Sequence, residues 1–208
     1  MRGLNMMNQS RWQTLMNAMG LPQSPEVYDA LHAAYSEKRR FYHTVDHIDA
    51  MLTHVDGVKD IAERPEELEL AIWFHDAIYK PLSKTNELDS ANWAQAFLAS
   101  HGYGEAGIAR VHNLIMATLH NGSVKSHDAQ LIVDIDLAIL GALPAVYDQF
   151  ERNVRKEYRL VPWFIYRKKR KDLLQSFLSS ASIYNLDPFK EKYESTARYN
   201  IGRAIDML

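Results

Sequence analysis

The chain of 208 residues contains no cysteine. Disulfides, thiolate zinc sites and cysteine nucleophiles are therefore excluded. It has no apolar run approaching the roughly 18 residues that span a bilayer. The opening MRGLNMMNQSRWQ carries no apolar stretch of the kind a secretory signal needs. An excess of one charge is missing too: 24 Lys and Arg face 26 Asp and Glu, so nothing global draws the chain to nucleic acid or to an anionic membrane. Hydrophobic residues at 47% and charged residues at 24% exclude a disordered, fibrous or coiled-coil protein. The expectation is a cytoplasmic single domain over 1–208, large enough to bury a core without staples. Neither a nucleic-acid nor a membrane partner is expected, and homo-oligomer formation is left open.

What the sequence does have is helical periodicity. Trp12, Leu15, Met16 and Met19 form one stripe, closed by Gly20 and Pro22. Val27, Ala30, Leu31 and Ala34 form a second, and Ile48, Met51, Leu52 and Val55 a third. Leu68, Ala71, Ile72, His75 and Tyr79 share a face that stops before Pro81. Ile108, Val111, Ile115 and Leu119 run to Asn121-Gly122, a turn signal. LIVDIDLAIL (131–140) is β-branched enough for a strand, but it has no strand to pair with and reads as a buried helix ending at Gly141. Helices over 146–158, 164–183 and 189–208 follow. The fold class is all-α, a single bundle of about ten helices, with loops at 63–65, 80–85 and 121–126.

Histidine is the other abundance. There are nine, and all but His32 lie between His43 and His127. Imidazole is the commonest metal ligand and the usual proton carrier near neutral pH. His43 and His47 are four apart and so share a helix face. They can hold one metal, or one metal and one proton; a surface or capping pair has the same spacing. His75 falls on an apolar stripe and Asp76 follows an almost wholly apolar run, where a carboxylate must be paired or metal-bound. A satisfied core histidine beside a helix-end acid is the plainer alternative. Asp134 and Asp136 interrupt the apolar 131–140 segment and lie about 200° apart on a helix. One can meet a metal while the other caps a backbone or pairs with an arginine such as Arg155.

His47, His75-Asp76 and Asp136, in that order and on separate apolar helices, resemble the HD-domain superfamily of metal-dependent phosphohydrolases, with its H…HD…D pattern. RFYHTVDHI, WFHDAIY, NELDSA, IMATLHN, DIDLAILG, VRKEY and TARYNIGRAI look like the subgroup described as predicted HD phosphohydrolases. That resemblance spans about 35–205, with N-terminal helices (7–36) packed on this core. It implies that His47, His75, Asp76 and Asp136 bind a divalent metal. The Tyr-His-x-x-x-His arrangement is similar to that of cyclic-nucleotide phosphodiesterases, which implies that His43 donates a proton to the leaving oxygen. Asp136 aligns with the final acid of the pattern because Leu137 follows it; Asp134 is the second choice.

Two imidazoles and two carboxylates suit Mn, Fe, Ni, Zn or Mg. The resemblance implies metal-activated water cleaving a phosphoester or phosphoanhydride bond of a small phosphorylated metabolite, such as a nucleotide. The alternative is a non-catalytic module that senses a nucleotide or binds metal without turnover. On the substrate side, His120 is placed in the pocket by the resemblance, and Glu87 is a candidate base or a solvated helix-end acid. Lys84, Arg155 and Arg170 are the candidate phosphate partners, with ordinary ion pairs as their other reading. His112 reads as a packed core residue, His101 and His127 as loop residues, and Arg198 as a tie for the last helix. His54 lies on the His47 face but about 10 Å further along the axis. The run Arg167–Lys171 reads as a solvated helix face.

Overall fold

A computed structural model describes residues 6–120, 122 and 124–208. Asn121 and Ser123, in the loop expected at 121–126, and residues 1–5 lie outside the described residues. Ten α-helices account for most of the rest, and no strand occurs among the described residues. They are α1 (Gln9–Ala18), α2 (Pro25–Tyr35), α3 (Val45–Val58), α4 (Pro65–Phe74), α5 (Asn86–Ser100), α6 (Glu105–Ala117), α7 (His127–Asp136), α8 (Pro144–Glu157), α9 (Trp163–Ser179) and α10 (Asp187–Met207). Short 3-10 turns follow α3 (Lys59–Ile61) and α7 (Leu137–Gly141). No single helix among the described residues is long and apolar enough to cross a membrane. The chain divides into two compact units, Met1–Ile132 and Val133–Leu208, and the division falls inside α7 rather than in a linker.

The first unit is built around α4. Every residue from Glu67 to Phe74 is buried, so this helix is covered on all sides, by α1, α3, α5 and α6. Its two buried acids are each matched. Glu67 takes both Nε and a terminal nitrogen of Arg110 (2.6 and 2.7 Å) and the Tyr103 hydroxyl (2.9 Å). Glu69 takes two nitrogens of Arg11 (2.8 and 2.9 Å). Leaving either carboxylate alone would be strongly destabilising, by about 3–5 kcal/mol. Trp12 packs edge-on against Trp73 at 5.3 Å and donates its indole N–H to the Gln23 carbonyl. The buried face of α3 carries His47, Ile48, Met51, Leu52 and Val55, which adds His47 to the apolar stripe read from the sequence.

The second unit closes α10 over the Leu137–Gly141 turn. Asn200 donates to the carbonyls of Leu140 and Ala142, and the Tyr184 hydroxyl donates to that of Leu137. These partners take carbonyls out of the helical ladder, which explains why α7 tightens after Asp136 instead of continuing to Leu140. Likewise α9 stops at Ser179 rather than near 183, because the Glu194 carboxylate accepts the N–H groups of Ile183 and Tyr184. Arg198 pairs with Glu194 and donates to the carbonyls of Leu178, Ser180 and Ala181, tying α10 to the end of α9 as expected.

Gly141 lies so close to α10 that a Cβ would stand 2.5 Å from the Tyr193 Cβ and 2.9 Å from its Cα. A backbone atom cannot step aside as a side-chain tip can. Gly141→Ala is expected to destabilise the chain by about 1–3 kcal/mol in urea or thermal unfolding. Gly202→Ala, in α10 with open space around the new methyl, is expected to be neutral or to stabilise by up to about 1 kcal/mol.

Candidate metal centre

His75 caps the C-terminal end of α4 and is buried; its amide N–H still donates to Ala71. The chain then turns through Asp76 and Ala77 toward Pro81. Three contacts pin that turn to the N-terminus of α5. The Ile78 N–H donates to the Ser90 hydroxyl, and Asn86 exchanges two hydrogen bonds with the Lys80 backbone. A fourth support is Arg40, a buried side chain that donates to the carbonyls of Asp76 (2.6 Å), Ala77 (2.9 Å) and His43 (3.3 Å). Its guanidinium lies over the rings of Tyr35 and Tyr79 and pairs with Glu37. Tyr35 donates to the Trp73 carbonyl and accepts from the Asp76 N–H. Arg40 thus fastens the segment before α3 to the His-Asp turn.

The helix α3 begins at Val45, with Thr44 in the cap position, so His43 stands before the helix and does not share a face with His47 as the four-residue spacing predicts. Arg40's hold on the His43 carbonyl keeps the segment off the helical path. His43 nevertheless reaches the site: its ring stacks on Tyr79 at 4.2 Å, and its Nε2 lies 3.9 Å from Asp76 Oδ2. Tyr42 covers both histidines, with ring centroids 4.9 Å from His43 and 4.8 Å from His47.

Three donor atoms converge. His47 Nε2 is 3.3 Å from His75 Nε2, His75 Nε2 is 3.1 Å from Asp76 Oδ2, and His47 Nε2 is 3.9 Å from the same oxygen. The proton bookkeeping at His75 is informative. Its Nδ1 is 2.9 Å from the Ile72 carbonyl, which only accepts, so Nδ1 carries the hydrogen. In a neutral ring, Nε2 then presents a lone pair to a carboxylate oxygen and to another imidazole nitrogen. A proton on His75 Nε2 can serve the Asp76 contact and a hydrogen on His47 Nε2 the contact between the imidazoles, whereas a single cation can serve all three atoms together. A point equidistant from the three atoms lies about 2.0 Å from each, matching metal–nitrogen and metal–oxygen bonds of roughly 2.0–2.2 Å. The residues present therefore fit a divalent metal.

Burial alone would push the Asp76 carboxyl up. Where His75, His43 and His47 are protonated, their positive field and the hydrogen bond that His75 then donates outweigh it and hold the group well below the usual carboxylate range. Glu87 goes the other way. It sits half-buried in the first turn of α5, where burial raises its carboxyl and the charge of Asp76 adds to the rise. No family model, curated protein or solved structure matches this chain. What the site can do follows from its own geometry.

The remaining candidates are distributed as follows. Lys84 is exposed in the loop before α5. His120 is exposed just after α6, with a left-handed backbone (φ 51°). His112 is half-buried, not a core residue. His101 caps the end of α5, with Nδ1 against the Phe97 carbonyl, and His127 opens α7. In the second unit, Asp136 ends α7 and is half-buried. Asp134 is fully buried and accepts the N–H groups of Asn185 (2.8 Å) and Leu186 (2.7 Å) and the Asn185 side chain (2.9 Å). Its partners are two backbone amides and one side-chain amide, not an arginine. Arg155 donates to the carbonyls of Tyr158 and Val161 and lies over the Trp163 and Tyr166 rings. Arg170 forms a two-point pair with Glu151, at 2.7 and 3.0 Å.

Arg40 and Tyr35 have no role in the sequence reading, and Tyr42 and Tyr79 appear there only in a motif and on a helix face. The signal available was a buried-type arginine amid aromatics in RFYH, which periodicity does not weigh.

The depressed Asp76 carboxyl has a consequence for stability in chelator. Its contribution is fully present above the ordinary Asp value of about 3.9 and is lost as pH falls through the lowered folded value. Urea unfolding of Asp76→Asn in chelator is expected to lose stability less steeply than the parent as pH is lowered below about 4.

Proposed function

We propose that the chain is a metal-dependent phosphohydrolase acting on a small phosphorylated metabolite, with a nucleotide as the leading substrate class. The observation that carries this reading is the convergence of His47 Nε2, His75 Nε2 and Asp76 Oδ2 around one point at bonding distance from all three. Asp136 is the fourth donor in this proposal, on the order of the H…HD…D pattern. Asp134 is left out because its oxygens are taken by Asn185 and Leu186. The mixed N/O set suits Mn, Fe, Ni, Zn or Mg. When bound, such an ion supplies Lewis-acid polarisation of water and of a phosphoryl oxygen.

The chain's own residues have separate tasks. Asp76 keeps its negative charge over the working pH range, because positive charge beside it, on the imidazoles or on a bound ion, favours the carboxylate. His75 is held in one tautomer by Ile72, so its Nε2 stays available as a donor to a cation. His43 is oriented by the Tyr79 face and by Tyr42, and it is the proton carrier to the departing oxygen. Glu87, with its raised carboxyl, accepts or returns a proton at the substrate side. Lys84 and His120 are the groups assigned to phosphate. Arg155 and Arg170 are not carried forward, since carbonyls and Glu151 occupy their donors.

Metal analysis of protein purified without chelator is expected to find a first-row metal or Mg near one per chain. His75→Ala and Asp76→Ala are expected to lose both the metal and turnover on a panel of nucleotides and sugar phosphates with Mn, Co, Ni or Mg. Asp136→Asn is expected to weaken metal binding, whereas Asp134→Asn lowers stability by about 1–3 kcal/mol with the metal retained. His43→Ala is expected to keep the metal and lose roughly 10²–10⁴ in kcat. Absence of bound metal, with no metal raising the melting temperature, overturns the proposal. Metal with no turnover on any member of the panel replaces it by the sensing module.

A further inference from the structure

The second unit carries a surface that the metal chemistry does not use. The turn after α8 and the first turn of α9 read Leu160-Val161-Pro162-Trp163-Phe164-Ile165. Four of those side chains face solvent: Leu160 is 86% exposed, Phe164 73%, Trp163 49% and Ile165 42%. This is not the outer edge of a core. The buried side of α9 is marked by Tyr166 and Leu174. At about 100° per residue, Phe164 and Ile165 lie well over 90° away from that side, and Lys168 falls between them on the opposite face.

Immediately beyond come the exposed Arg167, Lys168 and Lys169. Arg170 is left out of this set because Glu151 holds it. Residues 156–171 hold seven of the chain's 24 Lys and Arg but one of its 26 acids, and that acid, Glu157, is buried. The remainder of the chain is correspondingly acidic, so the neutral total conceals a local cationic end.

We propose that this end of α9 docks the chain on an anionic lipid surface. Exposed Trp, Phe, Leu and Ile beside a row of Lys and Arg combine the two attractions that interfacial binding uses, apolar insertion at the acyl boundary and charge attraction to headgroups. A second copy of the chain is disfavoured because self-pairing would bring two cationic rows together. Nucleic acid would use the basic row and the rings, but it has no use for Leu160 and Ile165. The net-charge argument that excluded a membrane partner averaged this patch away. The proposal is independent of the metal centre.

Co-sedimentation of the full chain tests it. The vesicles are phosphatidylcholine alone, and phosphatidylcholine with phosphatidylserine as one part in three. Binding is expected to the second, to a far smaller extent to the first, and to fall at high salt. Lys168→Gln and Lys169→Gln are each expected to weaken partitioning roughly fivefold. Phe164→Ser is expected to weaken it as well, with an unchanged melting temperature, since all three side chains are exposed. Equal binding to both vesicle types, or binding that survives these variants, overturns the proposal. So does a patch that fails on vesicles but shifts a single-stranded RNA in a Lys168- and Lys169-dependent way. Dimerisation that Phe164→Ser abolishes, without vesicle binding, overturns it in favour of a second copy.

Discussion

The hydrogen bond from His75 Nδ1 to the Ile72 carbonyl fixes how the His47, His75 and Asp76 cluster is arranged. By fixing the imidazole tautomer, it points a bare nitrogen at a carboxylate and at a second imidazole. The contact with the carboxylate repels unless a proton or a cation lies between the two atoms, whereas a hydrogen on His47 Nε2 also satisfies the contact between the imidazoles. The bond is short-range and local, made within the last turn of α4, so it exists wherever that helix forms. The all-round burial of α4 in turn ensures that the helix cannot rotate to relieve the repulsion. A packing constraint is thereby converted into an electrostatic demand.

Around that constraint the first unit supplies matched groups rather than bare ones. Glu67 and Glu69 are satisfied by Arg110 and Arg11, so the acids on the central helix are structural. Arg40 is satisfied by three carbonyls and one carboxylate, so it fastens rather than binds. Against this background the His47, His75 and Asp76 triangle stands apart as three metal-ligating atoms within 3.9 Å of one another. Glu67 and Glu69 each have a dedicated arginine, whereas Asp76 faces imidazoles.

Much of this was legible in the sequence. The stripes of α1, α3 and α6 and the helical nature of 131–136 follow from apolar spacing, because a helix covered on one face must repeat near 3.6 residues. The nearness of His47, His75 and Asp76 was implied in the sequence by the resemblance to an H…HD…D pattern. Asp134 and Asp136 were read as facing different surroundings, and the angle between positions two apart is sufficient for that. Other features were not legible. The start of α3 at Val45 goes with Arg40 holding the carbonyl of His43, three residues on, a side-chain contact with backbone that no periodicity encodes. The tightening after Asp136 depends on Tyr184 and Asn200, some 50–60 residues downstream. The exposed apolar turn at 160–165 fell partly between the helices read over 146–158 and 164–183 and partly at the start of the second, and composition does not reveal which face a neighbour covers.

The seam inside α7 bears on how this protein can be rearranged in evolution or by engineering. Backbone amides of 133–136 reach four residues back, to carbonyls of 129–132, so a cut between Ile132 and Val133 severs a continuous hydrogen-bond ladder. It would also strand Leu131, Ile132 and Ile135, all buried, at raw ends. Shuffling either half into another gene is thus disfavoured at the point where compactness alone would invite it, and insertions are better tolerated in the exposed polar turns.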